Sequence, residues 1–335
     1  MKTTVWLRIL ALFLMTVIAM TFISSGEQIN LGSAGASSSG KHYITDFQRS
    51  CARINDNINQ KIFDLPMVYT LPMDQSPSPL PDPDGFTKDS YKDSTISVNC
   101  WRERINISKK TVTANFAEIT IAHPSQLRTA FAGGQFGTKR MLASRIAKNN
   151  NAVVAVNADF YNYNSNGVII RNGTLYREKP YGKDLLLIDS KGNFIIMSDH
   201  AAKKDGYYKN NKITQSFSFG PALVNDGKAL KKFGTNYACC PYGNNPRTAV
   251  GQIGPLHYLL CTVDGRMDNS RGVNMAELSQ IMLRKNCTVA YNMDGGQSSV
   301  LYFHNKPYNH VADGGERTLS DILYFATAIP ESERQ

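Results

Sequence analysis

The stretch Thr288-Val289-Ala290-Tyr291-Asn292-Met293-Asp294-Gly295-Gly296-Gln297-Ser298-Ser299 carries the reading of the fold. Its first four residues, apolar to neutral and β-branched or aromatic at three of them, form a short strand pattern. The polar, glycine-bearing end reads as a loop at the strand's edge. Just upstream, residues 275 to 285 put Leu278, Ile281 and Met282 on one helical face, and Asn274 and Glu277 have capping-box spacing at its start. The same order occurs earlier. A helix over about 138–149, with Leu142, Ala143, Ile146 and Ala147 on one face, precedes the strand Ala152-Val153-Val154-Ala155-Val156 and then Asn157-Ala158-Asp159. Two helix–strand units therefore deliver Asn and Asp to strand ends, where α/β proteins place ligands. This is either a structural duplication or a coincidence.

Strands dominate the rest. Thr111 to Ile121 alternates as a strand. Val168 to Tyr176 is a hairpin turning at Asn172-Gly173, a pair suited to the positive φ angles of a type I′ turn. Leu185 to Ile188 with Phe194 to Met197, and Ala222 to Ala229 about Asp226-Gly227, read as two more. The expected class is mixed α/β (α+β): a strand-rich mixed sheet with a few packed helices and several β-hairpins.

The chain has 335 residues, 42% hydrophobic and 19% charged, which excludes a disordered chain, a collagen-like repeat and a disulfide miniprotein. The net charge of +10 suits anionic surroundings. Lys2 and Arg8 precede an uncharged apolar run, Ile9 to Ile23. That is the pattern of a secretory signal peptide, or of a signal anchor if uncleaved. Residues 1–26 are assigned to it. The remaining chain is expected to be extracytoplasmic, secreted or membrane-anchored, with no nucleic-acid partner. Residues 27–92 hold a Gly/Ser-rich tether, a short helix over 43–64 and a proline-rich linker or wrap with six prolines between 66 and 83. Residues 93–330 form the globular domain. Of the six cysteines, Cys261 and Cys287 read as small buried hydrophobes, and the Cys239-Cys240-Pro241 turn as the place for a bridge.

No Gly-x-Ser-x-Gly elbow, Walker loop, His-Glu-x-x-His or dinucleotide fingerprint occurs. The chemistry-bearing residues are Asp, Asn, Arg and Gly. Asn245-Pro246-Arg247-Thr248-Ala249-Val250-Gly251 puts an arginine and a hydroxyl at a strand's mouth, and Leu259 to Val263 runs into Asp264-Gly265-Arg266. Arg247 and Arg266 can grip phosphate through bidentate charge-assisted bonds. Glycines such as Gly265, Gly295 and Gly296 let backbone N–H groups approach an anion. Asp159, Asp264, Glu277 and Asp294 supply carboxylates for acid–base work. Each residue also has a structural reading. Asp-Gly is a common turn, used again at Asp313-Gly314-Gly315; Glu277 suits a helix cap; Arg247 suits an ion pair; Asn157 suits a loop tie. Asp and Asn oxygens suit Ca²⁺ or Mg²⁺, but no calcium-loop spacing exists, and the arginines favour phosphate held without a metal. No cofactor is expected.

As a series, Asn-Pro-Arg-Thr-Ala-Val-Gly at 245–251, Asp-Gly-Arg at 264–266, Glu277, and Asn-Met-Asp-Gly-Gly-Gln-Ser-Ser at 292–299 resemble the phosphodiester glycosidase family. Asn-Ala-Asp-Phe-Tyr at 157–161 is similar to that family's upstream motif, and Phe217 to Val224 fits too. The resemblance covers about residues 93–329. Ala158, Met293 and Gln297 depart from the commoner residues, and no catalytic group is put in doubt.

The resemblance implies a hydrolase in which water attacks the anomeric carbon of a sugar-1-phosphodiester and a phosphomonoester leaves. It implies Arg247 on the phosphate, Asp294 or Asp159 activating water or stabilising the oxocarbenium-like centre, and Asp264 as second acid. Asn157, Asn292 and Ser298 would bind sugar hydroxyls or phosphate oxygens, with Thr248 beside them. Glu277 would orient Arg247 or Arg266. The expected substrate is a phosphate-linked surface or exopolysaccharide glycan. A non-catalytic binder of anionic wall polymer would need Arg247 but not the carboxylates. A metal-dependent phosphodiesterase would release sugar-phosphate instead of free sugar.

Overall fold

The computed structural model describes residues 69–333 apart from 235, 236 and 238. The apolar run Ile9 to Ile23, the tether, the 43–64 helix and Cys51 lie outside the described residues. Among the described residues no helix is long and apolar enough to cross a membrane.

Two antiparallel sheets form the frame. The larger has eight strands in the spatial order Ser90–Lys92, Ile96–Ile107, Lys110–Ile121, His257–Val263, Arg247–Gly254, Val289–Met293, Ala222–Asn225 and Lys228–Ala229. The smaller has five: Lys306–Pro307, Leu301–Phe303, Val154–Asn157, Asp321–Phe325 and Leu127–Phe131. Alternation along the strands assigns the layers, because successive side chains point to opposite faces. Val250, Leu260 and Tyr291 share one core with Val154, Val156, Leu323 and Phe325, so the two sheets face each other there. The intervening Ala249, Leu259, Cys261 and Ala290 point outward and meet Leu278, Ile281 and Met282 of the helix Met275–Arg284. Across the molecule, Ala155, Ile322 and Tyr324 meet Ala143, Ile146 and Ala147 of the helix Ala143–Asn149. The architecture is helix, sheet, sheet, helix, within the mixed α/β class read from the sequence.

Local chemistry accounts for the connections. Asn172 and Gly173 adopt φ of 46° and 79°, and the hairpin Gly167–Arg171 with Thr174–Lys179 forms around them. Asn274 and Glu277 make both bonds of the capping box. The first helix begins at Ala143 rather than about Thr138, because Met141 and Leu142 pair with Thr318 and Leu319 as a short ladder. The described part of the proline-rich stretch lies against the sheet. Buried Arg128 donates to the carbonyls of Pro72, Asp74 and Ser76, and Asn172 Nδ2 donates to that of Asp74. Cys100, Cys239, Cys261 and Cys287 are buried thiols. The bridge expected at the Cys239-Cys240-Pro241 turn is therefore not made through Cys239. The turn's backbone instead holds an arginine, described below.

Candidate functional site

The two Asp-bearing strands belong to different sheets, and their ends meet. Asp294 N donates to Ala158 O at 3.2 Å, and Asn157 Nδ2 donates to Asp294 O at 2.6 Å. Asn157 Oδ1 accepts from Thr248 Oγ1 at 2.8 Å and from Val300 N at 3.1 Å. The fully buried Thr248 and Asn157 thus join the two sheets beneath the site. Asn292 Nδ2 donates to Gly220 O at 2.7 Å. The expected contacts of Asn157, Asn292 and Thr248 with sugar hydroxyls or phosphate oxygens are corrected accordingly: the hydrogen bonds these side chains make are to the protein's own scaffold. The reason is register. Asn157 and Asn292 lie within the ladders, opposite Ile322 and Ala249, so their side chains enter the interior.

Asp294 is a carboxylate that lines a cleft, described below. Its Oδ1 accepts from Gly295 N at 2.9 Å, and its Oδ2 from Arg317 Nη2 at 3.1 Å. Arg317 Nε also donates to Ser298 Oγ at 2.6 Å. Ser298 is fully buried and orients this pair, so the expected sugar or phosphate contact is corrected to a positioning one. Burial pushes the Asp294 carboxyl above its ordinary range, against the Ser298 hydrogen bond and the Arg317 charge. The charge of Asp159 pushes the same way, which marks the two carboxylates as neighbours.

Asp159 is fixed from behind. Its Oδ2 accepts from Ser218 N at 2.8 Å and its Oδ1 from Phe160 N at 3.0 Å. Arg171 Nη2 lies 3.9 Å from Asp159 Oδ2 and 2.7 Å from Asp321 Oδ2. Arg171 Nε adds a 2.8 Å bond to Asp321, and the guanidinium stacks 4.4 Å from the Phe217 ring centre. Burial pushes the Asp321 carboxyl up to about 7, with Asp159 adding and Arg171 opposing. This folded value exceeds the unfolded one of about 3.9. The native state therefore binds the extra proton, and that stabilisation is present at low pH and lost as pH rises through about 7. The difference between the urea midpoints of wild type and Asp321→Asn should accordingly change between pH 4 and 8, with only the wild type losing stability through this group. A pH-independent gap would contradict the assignment.

Beside Asp294 lies a cleft of about 200 Å³. Arg247, Arg266, Asn245, Phe219 and Gly296 also line it. Arg247 is only 2% exposed, and its guanidinium is held by carbonyls. Nε donates to Val273 O at 3.0 Å, Nη1 to Cys239 O at 2.6 Å, and Nη2 to Cys240 O at 3.1 Å and Gly243 O at 2.7 Å. It forms no ion pair with a carboxylate among the described residues, so a buried positive charge faces the cleft uncompensated. Arg266 reaches the cleft from the other wall and pairs with Asp313, in the Asp-Gly-Gly turn cited above as an ordinary turn.

The remaining candidates fall elsewhere. Asp264 is 3% exposed and accepts from Asn115 Nδ2 at 2.8 Å; burial raises its pKa, with Asn115, Arg102 and His310 opposing. It does not line the cleft, so its role as second acid is corrected. Glu277 accepts from Asn274 N at 3.0 Å and pairs with Lys110 at 2.7 Å. It touches neither Arg247 nor Arg266, so the helix-cap reading is the one its contacts fit. Its helix still matters, because Val273, just before the cap, supplies a carbonyl to Arg247. A Cβ on Gly265 would stand 2.6 Å from Pro246 N, and one on Gly295 would stand 2.8 Å from Pro246 O. Gly265 serves close backbone packing; Gly295 packs as closely but also lines the cleft, with its N–H donating to Asp294 Oδ1. Gly296 N also donates to Pro246 O, although Gly296 lines the cleft.

Sequence reasoning missed Arg171, Arg317 and Asp321. Asp321 had a readable signal: a carboxylate opening the apolar run Ile322-Leu323-Tyr324-Phe325-Ala326 must find a buried partner. Arg317 had none. Among the described residues, no three His, Cys, Asp or Glu side chains converge to hold a metal ion.

The model of the phosphodiester glycosidase family matches residues 150–326. The SPbeta prophage-derived uncharacterized protein YomE of Bacillus subtilis (strain 168) is 26% identical over 244 residues, 71% of this chain. The chain spans 38% of the length of that relative. The catalytic domain of zebrafish N-acetylglucosamine-1-phosphodiester alpha-N-acetylglucosaminidase, auto-inhibited by its pro-peptide, shares the fold. It superposes with a TM-score of 0.58 at 21% identity, over 70% of this chain and 85% of that one.

Proposed function

Because the chain belongs to the phosphodiester glycosidase family, we propose that it hydrolyses a sugar-1-phosphodiester of the N-acetylglucosamine-1-phosphate type. The products are free sugar and a phosphomonoester, and the substrate is a surface or exopolysaccharide glycan. The observation that carries this reading is Arg247. A buried guanidinium without a carboxylate partner is costly unless an anion completes it, and this one lines the same cleft as Asp294. The substrate phosphate would lie against Arg247 and Arg266, which stabilise the charge that grows on it as the bond to the anomeric carbon breaks. Phosphate is already a good leaving group, so strong protonation of the leaving oxygen matters less than for an ordinary glycoside. Asp294, its carboxyl raised by burial, would take the proton of the attacking water or stabilise the oxocarbenium-like centre. Asp159 does not itself line the cleft; it neighbours Asp294, is fixed by Ser218 N and backed by Arg171, and is the second carboxylate in this reading. Export through residues 1–26 is part of the proposal and rests on the basic start and apolar run.

The test is hydrolysis of UDP-N-acetylglucosamine in ¹⁸O-water, with and without chelator. Free N-acetylglucosamine carrying ¹⁸O at its anomeric carbon, with UDP as co-product, is the expected result. N-acetylglucosamine 1-phosphate as product would replace this reading with cleavage at phosphorus.

A further inference from the structure

Beyond the cleft, side chains continue outward from Asp294 in a direction that the hydrolysis of one phosphodiester does not require. Arg317, bonded to Asp294, lies with its guanidinium carbon 5.2 Å from the ring centre of Tyr163. Arg140 lies 3.8 Å from the same centre. A second connection runs from the cleft wall: Phe219 meets Phe160 edge-on at 4.8 Å, and Phe160 stacks on Tyr163 at 6.2 Å. Tyr163 is 43% exposed, and Arg140 is exposed and has no ion pair among the described residues. Two cationic groups are thus held over one aromatic ring, next to the catalytic carboxylate and open to solvent. Cation–π contact holds a guanidinium without neutralising it. Arginines ordered in this way lose less freedom when they bind an anion.

A cleft of about 200 Å³ has room for the reacting group and little more. A second cationic site one step outward therefore reads a second anionic group on the same substrate. We propose that Arg140, held on Tyr163 beside Arg317, forms a subsite for the neighbouring phosphate of a polymeric substrate, so that the preferred substrate is a chain of repeating sugar-1-phosphodiesters. This rests on the function proposed above and specifies its substrate class.

Arg140 touches none of the reacting groups, which makes the test selective. Wild type, Arg140→Gln and Arg140→Lys are compared on UDP-N-acetylglucosamine and on poly(N-acetylglucosamine 1-phosphate). With Arg140→Gln, KM for the polymer should rise about tenfold, the loss of one charge-assisted phosphate contact. Kinetics on UDP-N-acetylglucosamine should not change, and Arg140→Lys should restore part of the polymer KM. Equal KM values for the polymer in wild type and Arg140→Gln would overturn the subsite and leave the proposed function standing. If neither substrate is hydrolysed, the proposed function fails, and calorimetric binding of the polymer decides the subsite separately. Weaker binding by Arg140→Gln than by wild type supports it, and equal binding overturns it.

Discussion

Asp294→Asn is expected to lower kcat on a sugar-1-phosphodiester by about a thousandfold, the scale of a lost general base or charge stabiliser. The change is nearly isosteric. The amide oxygen can still accept from Gly295 N, and Ser298 keeps its bond from Arg317. What disappears is the negative charge that the proposed mechanism sets beside the anomeric carbon, and the capacity to take a proton. The lost ion pair to Arg317 is partly exposed, so it contributes little to stability. The thermal midpoint should therefore stay within a few degrees of wild type. A variant that folds normally and keeps kcat within tenfold of wild type would remove Asp294 from the mechanism and move attention to Asp159.

Arg247→Ala is expected to abolish detectable turnover and also to weaken the fold, because the arginine has two jobs. Four carbonyl oxygens, from Val273, Cys239, Cys240 and Gly243, accept from its guanidinium. Removing their donors should cost roughly 2–4 kcal/mol, moderated by water entering from the cleft. The same substitution removes the positive charge that favours the phosphate. Arg247→Lys separates the two jobs: it keeps the charge but cannot reach all four carbonyls with one ammonium group. Stability should fall in the order wild type, Lys, Ala, while kcat/KM in the lysine variant falls about a hundredfold. Inorganic phosphate should raise the thermal midpoint of wild type and leave that of Arg247→Ala unchanged. Equal stabilisation of both proteins by phosphate would reduce Arg247 to a structural residue.

Much of this architecture was readable before the structure, and the readable parts share a cause. Asn172-Gly173 and Asp226-Gly227 set their turns through backbone preferences of single residues. Asn274 and Glu277 set a helix start across one turn. The apolar runs ending at Asn157 and Asn292 became strands that bring Asp159 and Asp294 together. All of these depend on neighbours within a few positions.

The errors share a cause too. Asn157 and Asn292 were read as strand-end ligand groups, but the ladders run one or two residues further and turn both side chains into the interior. Asp264 sits in an Asp-Gly-Arg motif as legible as that of Asp294, yet Asn115, a residue of the strand Lys110–Ile121, accounts for it. Glu277 is claimed by its own helix end and by Lys110, far away in sequence. Arg171 and Asp321, 150 residues apart, pair behind Asp159, and Arg317 reaches Asp294 from a loop 23 residues further along the chain. The sequence by itself determined the elements, the family's motif series and the two carboxylate-bearing strand ends, since turn chemistry and periodicity are local. Only the tertiary structure decided that Asp294 is the carboxylate lining the cleft, which asparagines are scaffolding, and that Arg247 faces the cleft without a counter-charge. Burial and partner choice are set by non-local packing.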